Sequence, residues 1–166
     1  MFTLVAHRPC TWHVSLTIYI LYISAPDSFL LFSHKNEITR FLFEQTKSDF
    51  QDVTISISQA KQIKALAYDQ FEHSIYWIDG KNQSIRKVHL NGTDMTTILE
   101  TTDLVDLVID PYSRILYWTS SHNNSINAIR LIGNPKPIGM VYNSSRDYPR
   151  LLAYHHGKKY IFFLQF

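Results

Sequence analysis

Cysteine is almost absent from this chain, since Cys10 is the only thiol among 166 residues. A disulfide scaffold and a zinc site built from several cysteines are therefore both excluded within the chain. Glycine is also scarce, at five residues, and charged residues make up 18% with a net charge of +2. Because the basic residues are dispersed rather than gathered in a stripe, the sequence shows no sign of a nucleic-acid-binding surface.

Apolar and aromatic residues are abundant instead, at 45% and 14% of the chain. This composition excludes a disordered tail and favours β-structure, in which rings fit a pleated, half-buried surface. No stretch shows the apolar period of a helix. An all-β fold of about one domain is therefore predicted.

Residues 1–23 differ from the rest. Arg8 precedes the apolar run Val14–Ile23, which is too short for a bilayer because a membrane span takes about 20 residues. The run has the size of the hydrophobic part of a signal peptide. The residues after it lack the small side chain that a cleavage site favours at the third position before the cut. We interpret residues 1–23 as an atypical N-terminal segment, either a weak signal peptide or a non-native start, and residues 24–166 as the folded domain. Membrane attachment would then come only from parts outside this chain.

An internal repeat organises the remainder. Ala65–Leu90 aligns with Asp106–Leu131 at a constant offset of 41, which matches Trp77 to Trp118. Partial copies flank these two on both sides. Such a period indicates a repeat architecture.

Each copy is predicted to contain four strands, which in the first copy are Ile63–Tyr68, Ile75–Ile78, Ser84–Leu90 and Met95–Leu99. Between the last two strands, Asn91 and Gly92 tolerate positive φ and predict a tight hairpin turn. Four antiparallel strands in about 40 residues form the blade of a β-propeller. The aromatic pairs of the second strands are expected to pack between neighbouring blades.

The strings YWID at 76–79 and YWTS at 117–120 resemble the YWTD motif of the LDL-receptor class B repeat. The motif residues are Tyr76, Trp77, Asp79, Tyr117, Trp118 and Thr119. Ser120 departs from the motif aspartate, and Phe162–Gln165 stands where a fourth copy is expected. The chain looks most like the fourth propeller of the LDL-receptor-related Wnt co-receptors. This resemblance implies an incomplete β-propeller, with about three of six four-stranded antiparallel blades.

The resemblance also implies a non-enzymatic, extracellular protein-binding module of a cell-surface receptor. Its partners would be Wnt ligands or Dickkopf-type antagonists, with no cofactor, metal, nucleic acid or small-molecule substrate. Three alternatives stay open: another class B receptor or matrix protein, a truncated non-functional product, and a calcium-dependent propeller hydrolase. The hydrolase is disfavoured because Asp69, Asp79 and Asp110 fit simple roles in turns or caps.

Antiparallel geometry places the loop before each innermost strand and the loop after each YWTD strand at one face of the disc. In the resembled family, ligands dock on this face. The predicted partner-binding residues are Lys35, Gln62, Lys64, Lys81, Asp103, Val105, His122, Tyr148 and Arg150. Tyr148 and Arg150 are of the types that dominate binding energy.

Four glycosylation sequons fall in predicted loops, at Asn82, Asn91, Asn123 and Asn143. A sugar is tolerated in such loops, so all four are predicted glycosylation sites. Asn82 and Asn123 are 41 residues apart and occupy the same loop of successive blades.

Overall fold

The computed structural model describes residues 4–7, 29–34, 37–42, 53–55, 62–155 and 157–165. All regular structure in these residues is β. The strands are β1 (Leu4–His7), β2 (Phe29–His34), β3 (Glu37–Leu42), β4 (Val53–Ile55), β5 (Ile63–Asp69), β6 (Ser74–Asp79), β7 (Ser84–His89), β8 (Thr96–Glu100), β9 (Leu104–Asp110), β10 (Ile115–Ser120), β11 (Ser125–Arg130), β12 (Lys136–Asn143), β13 (Pro149–His155) and β14 (Tyr160–Gln165).

These strands form three four-stranded antiparallel sheets and one two-stranded sheet. Blade 1 is β1–β4, blade 2 is β5–β8, blade 3 is β9–β12, and the C-terminal hairpin is β13–β14. The predicted all-β, incomplete propeller is confirmed. Strand β1 lies inside the segment 1–23 and pairs with β2, while the domain boundary at residue 24 stays a prediction.

Blades 2 and 3 repeat one another in register. Trp77 of β6 lies opposite Leu66 of β5, and Trp118 of β10 lies opposite Leu107 of β9. The two tryptophans therefore hold equivalent positions, as the offset of 41 predicts.

The turns repeat as well. The turn between the first and second strands ends on a residue with positive φ, which is His73 in blade 2 and Arg114 in blade 3. The next turn ends in the same way on Gln83 and Asn124. A left-handed residue lets a short turn reverse the chain into the next strand, so the shared conformation marks equivalent turns.

Strand β6 is buried along its whole length because it is packed on both sides. Ile75 and Trp77 belong to a core cluster shared with blade 1, and Tyr76 and Ile78 belong to a cluster shared with blade 3. Successive side chains on a strand point to opposite faces. The apolar run of this strand thus fills the two junctions on either side of blade 2.

An aromatic ring pair links the sheets at each junction. The ring centroids lie 5.0 Å apart between blades 1 and 2, 6.1 Å apart between blades 2 and 3, and 5.2 Å apart between blade 3 and the hairpin. The pairs are Phe29–Tyr68, Phe71–Tyr112 and Tyr142–Phe163.

The connection at Asn91 and Gly92, predicted as a tight hairpin turn between strands ending at Leu90 and beginning at Met95, is two residues longer in the structure. Strand β7 ends at His89 and β8 begins at Thr96. The positive φ values fall on Gly92 and Asp94, and Asn91 instead accepts a hydrogen bond from the backbone N–H of Thr93 at 2.9 Å. A side-chain acceptor two residues earlier builds its own turn, and this extends the loop.

Candidate protein-binding face

Two backbone hydrogen bonds define one end of the blades. Gly80 N donates to the carbonyl of Gln62, and Ser121 N donates to the carbonyl of Asp103, each at 2.9 Å. The residue before each innermost strand thus lies beside the turn that follows the second strand. We call this end, marked by these four residues in blades 2 and 3, the entry face.

The structure brings most of the predicted partner-binding residues to the entry face. Exposed positions in its loops are Gln62, Lys81, Asp103 and His122. Lys64 and Val105 lie inside strands β5 and β9 and are half-buried. Tyr148 and Arg150 lie at the start of β13, whose first residue, Pro149, pairs with the end of β14. Lys35 lies outside the described residues.

Lys64 contacts the neighbouring blade. Its Nζ donates to the carbonyl of Leu104 at 3.4 Å. Its stem also covers Gly80, where an added Cβ would lie 2.7 Å from Lys64 Cε. Gly80 thus lies in close contact with this stem, and Lys64 links blades 2 and 3.

Gln83 is an inter-blade contact that the sequence reasoning missed. Its Oε1 accepts from Asp103 N at 3.0 Å, and its Nε2 donates to the carbonyl of Gly80 at 2.6 Å. The side chain therefore fixes the loop that leads into β9. The only signal in the sequence is its position at the end of a turn.

Arg150 and Tyr148 form a pair at the edge of the entry face. The guanidinium carbon of Arg150 lies 6.0 Å from the centroid of the Tyr148 ring, within range of a cation–π contact. Tyr148 is 44% exposed. The Nη1 atom of Arg150 is buried and has no hydrogen-bond partner in the described part of the chain.

The motif residue Asp79 organises the turn after β6. It is fully buried. Its Oδ1 accepts from the backbone N–H groups of Lys81 and Asn82 at 3.2 and 3.0 Å, and its Oδ2 accepts from the Asn82 side chain at 2.9 Å. In blade 3 the equivalent position is Ser120, which lacks a carboxylate.

Blade 3 is joined to the C-terminal hairpin by polar contacts near the entry face. Asp106 Oδ2 accepts from Leu152 N at 2.8 Å, and the Thr119 hydroxyl donates to the carbonyl of Arg150 at 2.9 Å. Burial raises the pKa of Asp106 and outweighs the backbone hydrogen bonds that lower it. A motif threonine and a carboxylate thus position the start of β13.

A four-membered charge cluster joins blades 2 and 3 at the opposite end. Arg114 pairs with both Asp69 and Glu72, and Lys87 pairs with Glu72. Asp69 is fully buried and also accepts from Phe71 N at 3.0 Å. Burial of Glu72 acts to raise its pKa, but the hydrogen bonds and charges of Lys87 and Arg114 prevail and lower it. Sequence reasoning assigned Asp69 to a turn and missed this cluster.

The described residues contain no group of three or more His, Cys, Asp and Glu side chains able to hold a metal ion. They also contain no helix with the length and apolar character of a membrane span. All four sequon asparagines of the sequence, at 82, 91, 123 and 143, are exposed.

Comparison with known proteins places this architecture in a family. No protein-family model matches the chain. Low-density lipoprotein receptor-related protein 5 of Mus musculus is 33% identical over 161 residues, which cover 93% of this chain and 10% of that receptor. Low-density lipoprotein receptor-related protein 4 of Homo sapiens is 34% identical over 83 residues, which cover 48% of this chain and 4% of that receptor.

Solved structures share the fold at low sequence identity. A chain in the crystal structure of a nidogen/laminin complex has a TM-score of 0.65 at 17% identity, with 83% of this chain and 52% of that one covered. Virginiamycin B lyase from Staphylococcus aureus has a TM-score of 0.59 at 15% identity, with 84% and 46% covered. With repeated YWTD-type strands in successive blades and LDL-receptor-related proteins as relatives, this chain is part of a β-propeller built from LDL-receptor class B repeats.

Proposed function

We propose that this chain is an extracellular protein-binding module of a Wnt co-receptor-like, LDL-receptor-related protein. It contributes about half of a propeller that corresponds to the fourth one of such receptors. It binds Wnt ligands or Dickkopf-type antagonists through the entry face and performs no chemistry of its own. Support comes from the 33% identity to low-density lipoprotein receptor-related protein 5, of which the chain spans 10%.

The observation that carries this proposal is the exposed ring of Tyr148, which lies beside the guanidinium of Arg150 at the edge of the entry face. Arg150 is half-buried, and its guanidinium is the candidate donor to a carboxylate or carbonyl oxygen of a bound protein. Tyr148 supplies a large, rigid contact surface next to this donor, and arginine and tyrosine are enriched among residues that dominate binding energy.

The test is a binding measurement on the full chain with immobilised, purified Wnt and Dickkopf proteins. We expect Tyr148→Ala and Arg150→Ala each to weaken binding at least about tenfold, which corresponds to about 1.4 kcal/mol. Matched controls are Tyr160→Ala and Arg130→Ala, which remove the same residue types from exposed positions at the end of the strands opposite the entry face.

Each outcome has a clear meaning. Loss of binding in the entry-face variants alone supports the proposal. An equal loss in the control variants, or unchanged affinity in all four, refutes the assignment of the entry face. Failure of the unmodified chain to bind either protein class refutes the assigned partners.

A further inference from the structure

Two of the four sequons form a matched pair. Asn82 and Asn123 are 41 residues apart, and both belong to sequons of the Asn-x-Ser type. Both are exposed and lie in the four-residue turn between the second and third strands of their blades. The sequence alone thus gives no reason for a sugar to prefer one over the other.

The side-chain amide of Asn82 is already engaged. Its Nδ2 donates to Oδ2 of Asp79 at 2.9 Å, and Asp79 is fully buried. Nδ2 is also the atom that takes the sugar, which replaces one of its two hydrogens. A sugar bonded there would lie beside the buried carboxylate and leave Nδ2 a single hydrogen for the bond to Asp79, so we expect it to weaken the turn that Asp79 holds together.

The amide of Asn123 has no such partner. Ser120 replaces the motif aspartate in blade 3, and the Asn123 side chain makes no hydrogen bond to the residues that the structure describes. A sugar on its Nδ2 therefore costs blade 3 no existing contact.

We propose that Asn123 is the glycan-bearing asparagine of the entry face and that Asn82 is left bare in the folded protein. The inference rests on the extracellular location in the proposed function. In the transfer step, Nδ2 attacks C1 of an oligosaccharide carried on a lipid diphosphate. The N–C1 bond forms, the bond from C1 to the diphosphate oxygen breaks, one amide proton is released and the lipid diphosphate leaves. Chains modified at Asn82 fold less well and are depleted from the folded population.

The test uses the full chain with a cleavable signal peptide added, made in secreting animal cells. Entry into the secretory pathway then does not depend on the chain's own location, so failure of the proposed function leaves this result readable. Trypsin separates the two sites, because cleavage after Lys81 and Arg86 releases Asn82, and cleavage after Arg114 and Arg130 releases Asn123. Glycopeptide mass spectrometry then gives the occupancy of each site in the secreted protein and in the cell lysate.

We expect the occupancy of Asn123 to exceed that of Asn82 about severalfold in the secreted protein, since a modest loss of stability changes the abundance of a folded protein in cells by about that factor. Ser120→Asp gives blade 3 the carboxylate of blade 2 and should lower the occupancy of Asn123. Asp79→Ser should raise the occupancy of Asn82, measured in the secreted protein or in the cell lysate, depending on where the variant accumulates. Equal occupancy of the two sites, an unmodified Asn123, or no response to either exchange would overturn the proposal.

Discussion

Replacing Arg114 by alanine removes the guanidinium that joins blade 2 to blade 3 at the end opposite the entry face. Arg114 pairs with Asp69 and Glu72, and only 14% of its own side chain is exposed. Asp69 is fully buried, whereas the Glu72 side chain is 38% exposed. The two pairs therefore contribute unequally to the stability of the fold.

The pair with Asp69 dominates the expected loss. Removing one partner of a buried ion pair costs about 3–5 kcal/mol, because the other charge stays buried without compensation. Asp69 keeps its hydrogen bond from Phe71 N, which favours the lower end of that range. The exposed pair with Glu72 adds less than about 1 kcal/mol because solvent screens it. We thus expect Arg114→Ala to lower the free energy of unfolding by about 3 kcal/mol.

Urea denaturation followed by tryptophan fluorescence measures this loss, since Trp77 and Trp118 lie in the two core clusters. Lys87→Ala is the matched control. It removes a cation that pairs with Glu72 but not with Asp69. We therefore expect it to lower the free energy of unfolding by less than about 1 kcal/mol. A loss below about 1 kcal/mol for Arg114→Ala, or an equal loss for the two variants, would refute the reasoning.

Three further outcomes are expected. Trp118→Ala should lower the free energy of unfolding by about 3–5 kcal/mol in the same assay, because it empties the junction between blades 2 and 3. Gly80→Ala should lower the free energy of unfolding by about 1–3 kcal/mol through overpacking. The added Cβ would lie 2.7 Å from Lys64 Cε and 3.0 Å from the Gln62 carbonyl oxygen. A neutral effect would mean that the lysine side chain moves aside freely. Burial raises the pKa of Asp106, so the folded state holds its proton more tightly than the unfolded chain does. Its contribution to stability is therefore complete below pH of about 3.9 and is lost as the pH rises through the raised pKa. In Asp106→Asn the free energy of unfolding, measured at a series of pH values, should fall less steeply as the pH rises. An unchanged slope would contradict the raised pKa of Asp106.

The repeat was predictable because its signal is local. An offset of 41 aligns Trp77 with Trp118, and the alternation of strand residues assigns each ring to a junction. The turns were predictable for the same reason, since Asp69 accepts from a backbone N–H two residues later. Such contacts lie within a few residues of each other, where sequence patterns carry information.

The contacts between blades were not predictable in the same way. Arg114 meets Asp69 across 45 residues, and neither residue type signals a partner at that distance. In the sequence Gln83 is an ordinary turn residue. Its contact with Asp103 forms only when the next blade packs beside it. The pairing of Leu4–His7 with β2 likewise depends on the assembled sheet, because its sequence is too short to show a strand pattern.

The arrangement of successive blades is tested most directly by a nuclear Overhauser experiment on the full chain with selectively labelled Phe and Tyr rings. Among the described residues, a ring pair spans each junction, with centroids 5.0, 6.1 and 5.2 Å apart. We predict cross-peaks for all of the pairs Phe29–Tyr68, Phe71–Tyr112 and Tyr142–Phe163. Their absence, in a sample that shows the cross-strand contacts within blades 2 and 3, would contradict the propeller packing.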